Sequence, residues 1–380
     1  MVLTHEAPAR AAADRPAPRR RSRLRGPERT AGWLFVSPVV VLLFVFLLVP
    51  ILMGLWVSFT SWNGQGSPFQ PGVPVAGASN YTKLFTVDGL ARQDLMTSLR
   101  NNIYYVAIVV PLQTVLALFL ALVVNQRILR AKSFFRTGFY FPSITSSVAV
   151  SMIVLFLFTN GGAINAILGY FGIDGPNWFA DSRGVLHLIL NAIGVADINN
   201  PPPALLDHQL LGLSWWEWFA GPSVGLCAII GLVIWTTSGT FMLMFLAALQ
   251  GIPVQLEEAS LLDGANRWQH LRRVTLPLLK PTMFLVVTLG LIGTWQVFDQ
   301  VYVITKGGPS KTTVTPAYLS YRTAFLDFNY GPGAAISFIL FAIIIVMMLF
   351  QRWVMRDRDR TGPGWLRRTW SRSLGRAGGS

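Results

Sequence analysis

Six stretches of this chain run for 20 residues or more as apolar segments, at 32–58, 103–124, 139–158, 222–249, 282–304 and 334–354. Five carry no charge or carry it only at an end, and the fifth holds Asp299 in its interior. A hydrocarbon core of roughly 30 Å is crossed by about 20 apolar residues in a helix. The pattern therefore predicts an all-α, polytopic membrane protein with six transmembrane helices. Pro38 and Pro50 predict kinks in the first span. Between the first two spans, 63–77 reads as a Gly/Pro-rich coil and 80–100 as a short helix leading into the second. A long segment, about 160–221, separates the third span from the fourth and reads as an external insertion. Its apolar piece, 184–196, is too short to span. Trp215, Trp216 and Trp218 read as an interfacial anchor, with a re-entrant helix as the alternative.

Composition agrees with the pattern: 52% of residues are hydrophobic and 13% charged, against about 25% charged in soluble domains. The net charge of +14 would suit a nucleic-acid binder, but its placement does not. Segments 1–31, 125–136, 250–281 and 351–380 hold eight, four, four and eight Lys/Arg, 24 of the 31 in the chain. The alternate loops hold the few that remain. This is the positive-inside distribution, which predicts cytoplasmic N and C termini and no nucleic-acid partner. Residues 1–31 are rich in Arg, Ala and Pro and read as a disordered basic cytoplasmic tail. Arg19-Arg20-Arg21 resembles an export signal, but the apolar run behind it is about twice the length of a signal core. Residues 356–380 read as a second basic tail, suited to anionic lipid. The transmembrane domain then occupies 32–355. Cys227 is the sole cysteine, and the four histidines show no ligand spacing, so no metal or cofactor is expected.

The stretch 251–281 is a cytoplasmic loop of unusual content. Leu256, Ala259, Leu262 and Ala265 recur at helical spacing, with Glu257, Glu258, Asp263 and Arg267 on other faces, which predicts a short amphipathic helix. Gly264 permits a turn, and a second short helix is expected over 266–274. Pro277 and Pro281 mark entry into the fifth span. Two short helices at an angle suit a groove on a partner protein. Rest on the lipid surface is the alternative, and the three carboxylates disfavour it.

The order Leu249-Gln250-Gly251-Ile252-Pro253, Glu258-Ala259-Ser260-Leu261-Leu262-Asp263-Gly264-Ala265, Trp268-Gln269 and Leu276-Pro277-Leu278-Leu279-Lys280-Pro281 resembles the coupling loop of carbohydrate-type permeases of binding-protein-dependent ABC importers. The run from Phe298 to Pro309, then Thr313, Tyr318, Tyr321, Ala324-Phe325 and Tyr330-Gly331, is similar to their fifth-helix exit and following loop. Ser37-Pro38, Asn80-Tyr81 and Asn101-Asn102 also fit. The resemblance covers about 30–355. Two departures stand out: Ser260 replaces the third-position Ala, and the third-to-fourth loop is longer.

The resemblance implies the type I permease fold in a bacterial or archaeal cytoplasmic membrane. It implies a second permease subunit, two copies of a cytoplasmic ATPase and an extracytoplasmic solute-binding protein. Glu258, Ala259, Ser260, Asp263 and Gly264 would make the ATPase contact. The solute would be a sugar, oligosaccharide or polyol derivative, held at mid-membrane near Thr236, Thr237, Gly290 and Thr294. The residues themselves add Trp295, Gln296 and Asp299. An intramembrane carboxylate marks a functional site by default, and Trp295, Asp299 and Tyr302 fall on one face of the fifth helix. Helix packing is the competing role for the hydroxyls, and a salt bridge to the partner permease for Asp299. The chain has no nucleotide site of its own: Gly308-Pro309-Ser310-Lys311-Thr312 lacks phosphate-loop spacing. The alternatives are a secondary transporter, which needs two related repeats that are not seen, a membrane enzyme, and an ABC importer permease for a non-sugar solute.

Overall fold

The computed structural model describes residues 27–126, 131–198 and 200–355. The tails expected at 1–26 and 356–380, and part of the basic turn at 127–130, lie outside them. The first helix, α1, forms the candidate span Thr30–Ser58 and begins at Pro27, inside the stretch read as tail. It widens to a π turn at Phe44–Leu48, where the Val49 N–H reaches back to the Phe44 carbonyl. Pro50 accounts for this: it has no N–H for the carbonyl four residues back, so the ladder slips. The chain divides into two compact units after Gly54, and the larger, from Leu55 onward, holds all the remaining elements.

These are α2 (Ser79–Phe85), α3 (Leu90–Asn125), α4 (Lys132–Ile144) and α5 (Ser147–Leu157). Within the insertion follow α6 (Ala163–Tyr170), α7 (Val185–Ala192), α8 (Pro203–Asp207), the hairpin β1 (Gln209–Leu210) and β2 (Leu213–Ser214), and α9 (Trp215–Trp218). Then come α10 (Val224–Gln250), α11 (Val254–Leu262), α12 (Arg267–Leu278), α13 (Lys280–Trp295), α14 (Pro316–Tyr321) and α15 (Tyr330–Val354). Among the described residues, four helices, α1, α3, α10 and α15, are long and apolar enough to cross a membrane alone; the number rises to six if α4 with α5, and α12 with α13, each count as one broken span.

Two expected straight spans are broken. The third bends by 94° between α4 and α5. Pro142 weakens the last turn of α4, and Thr145 and Ser146 are extended. The fifth stops at Trp295 and resumes near Asp299, ending at Lys306 in the left-handed region. A side chain from the following loop stabilises the break: Thr315 Oγ1 donates to the Val297 carbonyl at 2.9 Å. Trp295 therefore does not share a helical face with Asp299 and Tyr302.

α3 is the spine of the core. Its residues enter three apolar clusters, with Leu95, Tyr105 and Val109 in one, Ala117, Ala121 and Val124 in another, and Val106 and Val110 in the third. The matched motifs outside the coupling loop turn out to hold this frame. Asn80 Nδ2 donates to the Ser58 and Thr60 carbonyls, both at 2.9 Å. Asn101 Nδ2 donates to the carbonyls of Lys311 and Val314. Gly331 lies so close to Thr60 that a Cβ would stand 2.1 Å from its carbonyl oxygen.

Within the insertion, Trp216 forms an internal clamp, while Trp215 and Trp218, the rest of the expected interfacial anchor, stay half-buried. Trp216 is buried and stacks on His187, with centroids 3.8 Å apart, and His187 Nε2 donates to the Trp216 carbonyl at 3.1 Å. Ser214 and Glu217 form a capping box. Arg100 donates to the Glu217 carbonyl and Tyr104 to that of Trp218, which fastens α9 to α3.

Candidate functional site

Two regions carry the residues singled out by sequence. In the loop, α11 ends at Leu262 and Gly264 takes φ +76°, with open space where a Cβ would point. The turn needs glycine for its backbone conformation, not for room. Ala265 falls in this turn and not in the helix. Asn266 then caps α12: its Oδ1 accepts from the Gln269 N–H at 2.8 Å, and Gln269 Oε1 accepts from the Asn266 N–H at 2.9 Å.

The expected apolar stripe on α11 is absent. Glu258 and Ala259 on the helix, and Asp263 and Gly264 just beyond it, are exposed, as are Leu256, Leu261 and Leu262, the last at 89%. Trp268 on α12 is also exposed. Ser260 is the one buried residue of α11. Its hydroxyl lies 2.6 Å from His270 Nδ1 and 2.8 Å from the Glu257 carbonyl. Apolar and acidic side chains thus stand together, exposed among the described residues, on a helix set off by a glycine turn. Such a surface suits a protein groove better than lipid headgroups, whose negative charge repels it.

The second region is the bend between α4 and α5. It opens a cavity of about 300 Å³ whose wall is largely apolar, from Pro142, Val150, Leu232 and Phe241, with the hydroxyl-bearing Ser143, Thr145, Ser147, Thr236, Thr237 and Thr240 and the Gln300 amide set into it. Gln300 Nε2 donates to Ser147 Oγ at 3.1 Å. Ser143 Oγ donates to the Thr236 carbonyl and accepts from the Thr240 N–H. Thr237 Oγ1 lies 2.7 Å from Gln113 Oε1, buried in the middle of α3.

Of the residues proposed to line a solute path, Thr236 and Thr237 meet at this cavity. Gly290, Thr294 and Trp295 are buried elsewhere. A Cβ on Gly290 would stand 2.5 Å from Gln113 Nε2, so this glycine lets α13 approach the amide. Thr294 donates back to the Gly290 carbonyl at 2.7 Å, and Trp295 packs with Val106, Leu291 and Leu340. Gln296 and Asp299 lie exposed at the break that follows. Sequence reasoning missed Gln113, Ser143 and Gln300. Gln113 had a signal, as a lone amide within the span 103–124.

Residues 32–360 match the family described as binding-protein-dependent transport system inner membrane component, and the chain belongs to that family. It is a multi-pass inner-membrane permease component of an ABC importer. Relatives include the probable ABC transporter permease protein YesP of Bacillus subtilis (strain 168), 30% identical over 337 residues, which are 87% of this chain and 93% of that one. The lactose transport system permease protein LacF of Rhizobium radiobacter is 29% identical over 89% of this chain and 98% of its own. The trehalose/maltose transport system permease protein MalF of Thermococcus litoralis (strain ATCC 51850 / DSM 5473 / JCM 8560 / NS-C) is 28% identical over 85% and 93%. Among solved structures, a bacterial ABC transporter involved in the import of the acidic polysaccharide alginate contains a similar fold, with TM-score 0.63 and 21% identity over 87% of this chain and 98% of that one.

Proposed function

We propose that this chain is one of two permease subunits that enclose the path for a sugar, oligosaccharide or polyol derivative in an ATP-driven importer. In this reading each broken helix is one span, giving six, with both termini in the cytoplasm. Two copies of a cytoplasmic ATPase receive α11 and α12 in a groove, and an extracytoplasmic binding protein delivers solute from the other side. The observation that carries the reading is α11, with Glu258, Leu261, Leu262 and Asp263 uncovered ahead of the Gly264 turn. ATP hydrolysis is assigned to the partner subunits, and rigid-body rocking of the permeases opens the path alternately.

The cavity at the α4–α5 bend is the proposed solute contact, with Thr236 and Thr237 in it and Gln296 and Asp299 on the neighbouring break. Hydroxyls and amides match the hydrogen-bonding edges of a sugar. The sugar class is supported by the names of LacF and MalF among the relatives. The test is uptake by proteoliposomes holding the chain with its partner permease, ATPase and binding protein. Lactose, maltose, trehalose and an alginate oligosaccharide serve as labelled probes. ATP-dependent accumulation of one of them is expected. Accumulation of amino acids or ions alone would overturn the sugar class, and uptake without ATP would overturn the importer reading.

A further inference from the structure

A lever must be held to transmit force, and α11 is a short helix with most of its side chains exposed. Its two chain ends connect to α10 and, through Gly264, to α12. Its only buried residue is Ser260. The Ser260 hydroxyl meets His270 Nδ1 across the turn, 10 residues along the chain, at 2.6 Å. One arrangement supplies a proton to each bond: the hydroxyl donates to the Glu257 carbonyl, and its oxygen accepts from Nδ1–H. The backbone closes beside it, with the Ala265 N–H donating to the Ser260 carbonyl at 3.0 Å and the Gly264 N–H to that of Leu261 at 3.0 Å. His270 belongs to α12, which runs into Leu279, fully buried in the cluster around Phe245 and Val286, and then bends by 68° into α13.

We propose that the Ser260–His270 pair is a strut that sets the angle of α11 against α12, so that movement of α11 on the ATPase is passed to α13 rather than absorbed at the Gly264 turn. Both residues are positioning residues. The inference rests on the docking reading above and deepens it. Physically, a turn with a glycine hinge and no cross-brace dissipates displacement, and coupling between sites needs a contiguous, stiff element. A serine at this place can make the brace, and an alanine cannot. The departure from the family pattern at Ser260 therefore has a partner in His270.

The test uses the full chain in lipid nanodiscs, followed by amide hydrogen exchange over 254–265 and, for control, over 224–250. Ser260→Ala and His270→Ala are each expected to speed exchange in the loop about three- to tenfold, as for loss of one hydrogen bond, with the control segment unchanged. The double variant is expected to match Ser260→Ala, since His270→Ala removes only a bond that Ser260→Ala has already lost. His270→Asn, whose side-chain amide places an N–H donor where Nδ1–H stood, is expected to restore protection. Unchanged exchange in the single variants, independent effects that multiply in the double variant, or an Asn variant as fast as the Ala one would each overturn the strut. A functional arm measures ATP-driven uptake of the sugar selected by the panel above. Uptake should fall by a similar factor in the Ala variants, with ATPase still co-purifying, and return in His270→Asn. Normal uptake in both Ala variants would overturn the strut while leaving docking intact; loss of docking itself is read separately with Glu258→Lys.

Discussion

Gly239 sits where α10 crosses α4, and Gly239→Ala is expected to separate the two helices at the cavity of the α4–α5 bend. A Cβ there would stand 2.2 Å from the Phe139 carbonyl oxygen, 2.7 Å from Ser143 Oγ and 3.0 Å from the Tyr140 Cα. A carbon normally approaches an oxygen to about 3.3 Å, so the helices must part by about 1 Å. The obstacle is backbone, which no rotamer change can relieve. Overpacking of this kind costs about 1–3 kcal/mol. The displacement also stretches both hydrogen bonds of Ser143, to the Thr236 carbonyl and from the Thr240 N–H, each worth about 1 kcal/mol. Together the loss is about 3–5 kcal/mol if both bonds are lost. Gly231, on the same helix, has nothing within 4 Å of its Cβ position. Gly231→Ala is therefore neutral or slightly stabilising, because alanine favours helix. The assay is thermal unfolding in detergent with Gly231→Ala as the matched control, followed by uptake in proteoliposomes. Gly239→Ala should melt clearly below both, and its uptake should fall about tenfold or more as the cavity widens. Equal melting of the two alanine variants would refute the close crossing.

Gly264→Val should lose about tenfold in uptake while Gly264→Asn keeps most of it, because left-handed backbone costs a side chain roughly 1–2 kcal/mol and asparagine tolerates it best; equal behaviour of Val and Asn would mean that the turn relaxes freely. Asp299→Ala should impair uptake more than Asp299→Asn, which keeps a hydrogen-bonding carbonyl, and full activity of the Ala variant would remove Asp299 from the path. Burial, with a smaller contribution from the Arg100 charge, holds the His187 pKa below the usual 6.5. Between that folded value and 6.5 the unfolded chain binds a proton that the folded one does not, so the insertion should lose stability as pH falls below about 6.5 and show no such dependence above it. Hydrogen exchange over 182–221 at pH 7.5 and 5.5 measures this. His187→Phe, which keeps a ring on Trp216, should remove the difference, and persistence of the slope in that variant would assign it to another group.

The long apolar helices and the turn at Gly264 were legible because hydropathy and the Gly/Pro signals act locally. Four of the six apolar runs appear as single candidate spans, and Gly264 has the positive φ that its place between two helices suggested. What the sequence hid depends on partners far along the chain. The break after Trp295 is held by Thr315, and nothing in 282–304 itself announces it. The bend at Thr145 has a local cause in Pro142, but a proline inside a span signals a kink and not its 94°. Gly290 and Thr294 were read as path residues from a resemblance, while the contact that occupies Gly290 comes from Gln113 on α3. Tryptophan serves both as an interfacial anchor and in packing, and the packing role of Trp216 depends on His187, 29 residues away in the chain.

The grip of loop 251–281 on an ATPase through α11 is proposed from its exposed acidic and apolar side chains. The most direct measurement is affinity purification of this chain from its host membrane with quantification of the co-purifying ATPase, in wild type and in Glu258→Lys, with insertion of both verified. Reversing a paired charge in a desolvated groove costs about 2–5 kcal/mol, so the account predicts ATPase at near-stoichiometric level in wild type and at least about tenfold less in the variant. Undiminished ATPase on the Glu258→Lys protein, together with undiminished ATP-driven uptake, would contradict it.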